Sequence, residues 1–145
     1  MLRKKSLLLL FLILIIIFSC SENIKHPPID NSLISENGNF TLYVSNQNLE
    51  VNRVDIQIKI DGKLVVSEFF KVGNRHRKSF ALSLPKGTHT LDVRSDQEDV
   101  NLTKQFEIKD KHWGVVNFWY NLENHDPKTS KHFIFMIEDK PIYFS

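Results

Sequence analysis

Cysteine occurs once among the 145 residues, at Cys20. That excludes a disulfide within the chain and any metal centre built from several converging thiolates. Glycine is scarce, five residues in all, and none falls in the kind of glycine-rich run that cradles phosphates. Long apolar stretches are lacking too: the longest, Leu7 to Phe18, has 12 residues. At about 1.5 Å per residue it reaches about 18 Å, well short of a hydrocarbon core of about 30 Å. Neither sign of charge dominates, with 19 Lys+Arg against 17 Asp+Glu, which gives little electrostatic footing for nucleic acid. No serine lies in a nucleophile-elbow context, and acidic residues such as Asp61 and Asp139 sit singly in turns rather than as the carboxylate pair of a glycosidase. The residues offer no catalytic constellation and no cofactor motif, and the expectation is a protein that is not an enzyme.

What is present begins at the N-terminus. Arg3, Lys4 and Lys5 precede the apolar run, and Ser19 closes it. A charged head, a short apolar middle and a small residue before the cut fit a signal peptide over residues 1–19. The tetrad Ile17-Phe18-Ser19-Cys20 resembles the lipobox of bacterial lipoproteins, in which an aliphatic, a variable and a small residue lead to the cysteine that receives the lipid. The resemblance implies a diacylglycerol thioether on Cys20, usually with an amide-linked acyl chain. Each buried methylene contributes about 0.8 kcal/mol, so two or three chains anchor a protein practically permanently. It also implies the bacterial cell envelope as location and the membrane as partner, with Ser21 compatible with an outer membrane where there are two. An ordinary secreted protein cut nearby, or an uncleaved anchor, is the other reading of the same residues.

Without residues 1–19, Lys+Arg falls to 16 against 17 Asp+Glu, a net charge of about −1. Residues 20–38 are rich in Ser, Glu, Asn and Asp, with a Pro27-Pro28 pair and no sustained period, and read as a lipidated tether. About 18 flexible residues average roughly 25 Å end to end.

From residue 39 to 145 the pattern is that of strands with one buried face. Phe40, Leu42 and Val44 alternate with Thr41, Tyr43 and Ser45, and Val54, Ile56, Ile58 and Ile60 with Asp55, Gln57 and Lys59. Asp61-Gly62 is a hairpin signal into a partner from Leu64 to Val72. A two-residue turn would put Val65 and Phe69 inward; a one-residue bulge would put Leu64, Val66 and Phe70 inward and bury more apolar area, and is preferred. Further strands are expected at Phe80 to Leu84, His89 to Val93, Val100 to Ile108, Trp113 to Leu122 and His132 to Ile137, with Ile142 to Phe144 closing the chain. The stretch Leu84-Pro85-Lys86-Gly87-Thr88-His89 resembles the corner between strands E and F of immunoglobulin-like and fibronectin-like sandwiches, with His89 in the tyrosine's place. A strand ending in Asp-Gly and followed by a leucine, a glycine and a strand is similar also to small surface modules of the PEGA type. The expected fold is all-β: an immunoglobulin-like antiparallel β-sandwich of about seven to nine strands.

One strand points to function. If Val116, Phe118, Tyr120 and Leu122 face the core, Trp113, Val115, Asn117 and Trp119 face out. Two indoles flanking an amide suit a sugar ring or a partner surface. The competing reading covers both faces and makes the tryptophans core, or shields them with the tail after Pro141. The six histidines show no pair at ligand spacing, and His112, His125 and Asp126 are the nearest approach to a metal set. Lys71 with Arg75 to Lys78 forms a basic loop, either a solvated tip or a contact for phosphate groups of lipid or lipopolysaccharide. The expected function is a non-catalytic binding or accessory module for a carbohydrate or an envelope protein. Its rivals are a structural subunit docking through a sheet edge and, more remotely, a metal-dependent enzyme.

Overall fold

A computed structural model describes residues 27–120 and 131–144; the signal segment, Cys20, the start of the tether, Leu122, His125 and Asp126 lie outside the described residues. The period-two segments become eight strands: β1 Phe40–Asn46, β2 Arg53–Ile60, β3 Lys63–Lys71, β4 Lys78–Leu82, β5 Gly87–Ser95, β6 Val100–Ile108, β7 His112–Tyr120 and β8 Lys131–Glu138. They form two four-stranded sheets, in the orders β4-β1-β7-β8 and β3-β2-β5-β6. The all-β sandwich of the expected size is therefore the fold.

Its connectivity has its own order. In immunoglobulin constant domains the second and third strands lie in different sheets. Here Asp61 and Gly62 both take positive φ, +51° and +79°, which makes a two-residue hairpin turn and holds β2 and β3 side by side in one sheet. The pairing is also not purely antiparallel: β1 runs parallel to β7, Phe40 opposite His112 through Asn46 opposite Phe118. These two strands are far apart in sequence, so no tight turn dictates their direction.

The two alternatives for β3 are both realised, one after the other. Beyond the turn, Ile60 faces Lys63 and Lys59 faces Leu64, as a two-residue turn demands. A bulge follows, and from Val66 opposite Ile58 to Phe70 opposite Val54 the phase is reversed. Val65, Val66 and Phe70 join the core cluster, whereas Leu64 is buried outside it, beside the exposed Lys59. Leu64 thus departs from the expected inward set, because the bulge comes one residue after it rather than at the turn.

Phe40, Leu42 and Val44 of β1, the four apolar residues of β2, Leu91 and Val93 of β5, Val116 and Phe118 of β7 and Phe133 of β8 fill the interior. Burying each such side chain contributes roughly 1.5–3 kcal/mol before the cost of chain ordering. Glu68 of β3 pairs with Lys78 of β4, tying one edge of each sheet together, and Lys131 of β8 pairs with Glu98 in the turn before β6.

Residues 30–38, expected as part of a tether, are tied to the sandwich instead. Asp30 N–H donates to Leu64 O at 2.8 Å, Ser83 N–H to Leu33 O at 2.8 Å and Ser35 N–H to Ala81 O at 3.0 Å, around a 3-10 turn at Asn31–Leu33 capped by Asp30. Residues 30–38 therefore belong to the domain. They satisfy backbone groups of β3 and of the chain at and beyond β4, work that an alternation-based reading of a polar segment does not reveal. Ile142 to Phe144, which closes the chain after Pro141, is irregular.

Candidate functional site

Strand β7 is positioned by two neighbours. Alternation puts Val116 and Phe118 into the core and Trp113, Val115, Asn117 and Trp119 on the outer face of the sheet. Trp119 is 41% exposed and Trp113 is half-buried. Six residues of strand separate the two indoles by about 20 Å. Val115 between them is only 2% exposed, so the face is partly covered at its middle.

The covering elements come from both sides. Across β1, Tyr43 stands opposite Val115, and on β8 Met136 does. The chain after β8 turns back over this face: the Phe144 ring meets Tyr43 edge-on at 4.9 Å, and the Arg77 guanidinium lies 3.5 Å from the Phe144 centroid. The tail thus packs at Tyr43 and Arg77, and Trp119 stays exposed. Met136, Phe144 and Tyr143 are exposed as well, Tyr143 to 90%.

Asn117 is held in a fixed orientation. Ser45 Oγ donates to Asn117 Oδ1 at 2.6 Å, and Gln47 Nε2 donates to Ser45 Oγ at 3.0 Å. The Asn117 Nδ2 donors have no partner among the described residues. The arrangement presents two indoles and an oriented amide donor along one strand. Lys111 Nζ stands 5.6 Å from the Trp113 ring, and Glu138 is the strand residue opposite Trp113. The other sheet differs: its outer face carries Arg53, Lys59, Asp92, Arg94 and Glu107.

A second constellation lies at the end of the sandwich where the Asp61-Gly62 turn sits. His89, 6% exposed, has Nδ1 at 2.6 Å from Asp61 Oδ2 and Nε2 at 2.8 Å from Pro85 O. Thr90 N–H donates to Asp61 Oδ1 at 2.9 Å, and the imidazole packs on Phe106 at 5.6 Å. The bond to Pro85 reproduces the backward hydrogen bond of a tyrosine corner with an imidazole. Burial opposes the His89 cation, but the hydrogen bonds to Asp61 and Pro85 and the Asp61 charge outweigh it and raise its pKa above 6.5. Asp61 is likewise disfavoured as an anion by burial, yet the hydrogen bonds from His89 and Thr90 and the charges of His89 and Lys63 bring its pKa below 3.8. Both ring nitrogens face acceptors, and a ring with both nitrogens protonated satisfies them together. Nε2 is spent on a backbone carbonyl and faces no hydroxyl, so this His–Asp pair is arranged as a clasp rather than as a general base. The sequence marked His89 as a corner residue and Asp61 as a turn residue; only their spatial meeting was hidden.

His112, the described member of the weak metal set, lines an open cleft of about 640 Å³ at that same end, with Glu107, Asp110, Glu138 and Asp139. Its Nδ1 is buried without a hydrogen-bond partner. Among the described residues no group of three or more His, Cys, Asp or Glu side chains is arranged to hold a metal ion. A scan against protein-family models and a search of curated proteins found no match to this chain.

Proposed function

We propose that the chain is a lipid-anchored protein of the bacterial cell envelope, held by Cys20, that binds a glycan on the outer face of the β4-β1-β7-β8 sheet without catalysing a reaction. The observation that carries this reading is the row Trp113, Asn117, Trp119 on an outward face, with Trp119 41% exposed and the Asn117 amide donors held in place by Ser45 and Gln47. Sugar rings have apolar C–H faces and hydroxyl rims. Indoles stack on the faces and a fixed amide donates to the rim. The anchor rests on the lipobox-like tetrad ending at Cys20.

The test uses the full chain in neutral detergent, with glycan-array binding and thermal unfolding measured side by side. Trp113→Ala together with Trp119→Ala should abolish glycan binding and leave the melting temperature within a few degrees. A large stability loss would assign both indoles to packing and defeat the reading. Intact-mass spectrometry should find acyl chains on Cys20, and an unmodified thiol would overturn the anchor.

A further inference from the structure

Four strands end the two sheets, β4 and β8 in one and β3 and β6 in the other. An unpaired edge is a template for another strand. On one side the chain covers its own edges: Asp30 N–H donates to Leu64 O of β3, and Ser35 N–H to Ala81 O of β4, where Ile34 bridges Leu82. On the other side β6 and β8 stand next to each other, with Phe106 and Phe135 edge-on at 5.5 Å and Lys131 paired with Glu98. Polar residues guard β6. Asn101, Thr103, Gln105 and Glu107 are exposed on its outer face, and Lys104, opposite Leu91 in its inner row, is exposed as well. The middle of β8 has no such guard. It reads Phe133-Ile134-Phe135-Met136-Ile137, with Met136 49% exposed, and among the described residues its one hydrogen-bonded neighbour is β7.

The order of residues along this edge suits one partner. Basic Lys131 and His132 open the strand, acidic Glu138 and Asp139 follow its apolar middle, and a second β8 laid antiparallel is therefore its complement. Centred on Phe135, such a pair sets His132 against Glu138, Phe133 against Ile137 and Ile134 against Met136. Directly opposed residues stand about 4.5–5.5 Å apart, where opposite charges attract and apolar side chains pack. Neighbouring registers are worse. Centring on Ile134 would set His132 against Met136, and centring on Met136 would set Ile134 against Glu138. Parallel pairing would bring like charges together. Lys131 is already held by Glu98, so the charge match falls to His132 and Glu138, which form no ion pair among the described residues and meet twice by symmetry. The long stem of Lys104 lets its ammonium stay in solvent when the edge is paired.

We infer that the chain forms a twofold dimer by antiparallel pairing of β8 with β8 of a second copy, centred on Phe135. The inference stands apart from the glycan reading. It joins the two four-stranded sheets into one of eight strands. The two tryptophan rows then share a continuous face, running in opposite directions about 14 Å apart, three strand spacings.

Sedimentation equilibrium of the full chain in density-matched neutral detergent should show a dimer. Met136→Lys places a charge against Ile134 at an exposed position, and should abolish association while leaving the melting temperature within a few degrees. Glu138→Lys should weaken the dimer about tenfold, since it spoils two pairs at once. Adding His132→Glu to that variant restores opposite charges in both pairs and should recover most of the lost affinity. For the register, His132→Cys and Glu138→Cys chains are mixed and treated with a short bismaleimide, and the linked peptides are identified by mass spectrometry. Links of 132 to 138 should form and links of 132 to 132 should not, because the latter positions stand about 20 Å apart. A monomer at every concentration would overturn the inference. So would a dimer indifferent to Met136→Lys or to the charge swap, or one that links 132 to 132.

Discussion

Raising the pH from 6 to 9 should loosen this fold through a single imidazole. His89 donates from Nδ1 to Asp61 Oδ2 at 2.6 Å and from Nε2 to Pro85 O at 2.8 Å, and both partners are acceptors. Only the imidazolium has two N–H groups. Losing a proton leaves one lone pair facing another oxygen in a place 6% exposed, where water cannot readily enter. A hydrogen bond to a charged group contributes about 1.5–3 kcal/mol, and because Asp61 is nearly half exposed the lower end, about 1.5 kcal/mol, is the working figure. The sign follows from the raised pKa: this stability is complete below 6.5 and is lost as the pH rises through the higher folded value. Asp61 acts in the opposite direction, its lowered pKa giving stability that is complete above 3.8 and is lost as the pH falls through the folded value. For a domain of about 100 residues, 1.5 kcal/mol corresponds to about 6 °C in melting temperature. Tryptophan fluorescence melts at constant ionic strength between pH 4.5 and 9 would show a plateau and then this fall. The decisive curve is that of His89→Gln, which should start lower at pH 6 and lack most of the decline. A variant that keeps the wild-type slope, or a wild-type protein equally stable at pH 6 and pH 9, would refute the doubly donating imidazole.

Three further changes probe packing and polar ties. A Cβ on Gly114 would stand 2.6 Å from Phe40 Cζ inside the core; Gly114→Ala should cost about 1–3 kcal/mol in urea unfolding, and a neutral result would mean that the Phe40 ring has room to move. The Asp55 carboxylate accepts from Ser95 Oγ at 2.5 Å, Asp96 N–H at 3.0 Å and Gln97 N–H at 3.2 Å. Asp55→Ala should cost about 2–4 kcal/mol and speed amide exchange at Asp96 and Gln97, which unchanged exchange would contradict. Phe144→Ala removes the ring between Tyr43 and Arg77; a loss of about 0.5–1 kcal/mol with faster exchange at Val115 is expected, and unaltered exchange would show that the tail does not protect that strand.

The fold was legible where the information is local. Val54 to Ile60 alternates cleanly, and Asp61-Gly62 takes the two positive φ values that such a dipeptide tolerates. The β4–β5 corner was legible from Leu84 to His89, but its backward bond was not, because a histidine in the tyrosine's place leaves that bond open; the imidazole makes it and adds an ion pair that a tyrosine would not. Sheet order was not legible, because β1 finds β7 some 70 residues away and nothing in either segment names its partner. Nor was the docking of residues 30–38, whose hydrogen bonds come from backbone groups and are therefore silent in the side-chain pattern. For the tryptophan row, the alternation of β7 allowed two opposite readings. Trp119 resolves as exposed, and the tail after Pro141, which one reading had shielding it, packs at Tyr43.

The outward apolar residues of β8 bear on why that row exists. A run apolar on both faces, as Phe133 to Ile137 is, ordinarily marks a central strand covered on two sides. Yet β8 is an edge strand; Phe133 is buried, Phe135 and Ile137 pack against the core, and Met136 points outward at 49% exposure. Edges are usually blunted with charge. Folding does not require an apolar outer face at that position, and the outer face of the other sheet carries Arg53, Lys59, Asp92, Arg94 and Glu107 instead. Met136, opposite Val115 and two residue pairs from Trp113, therefore extends the apolar surface sideways from the tryptophan row. A surface apolar beyond the needs of the core marks a contact made with something else, and here that surface and the proposed glycan platform are the same face of one sheet.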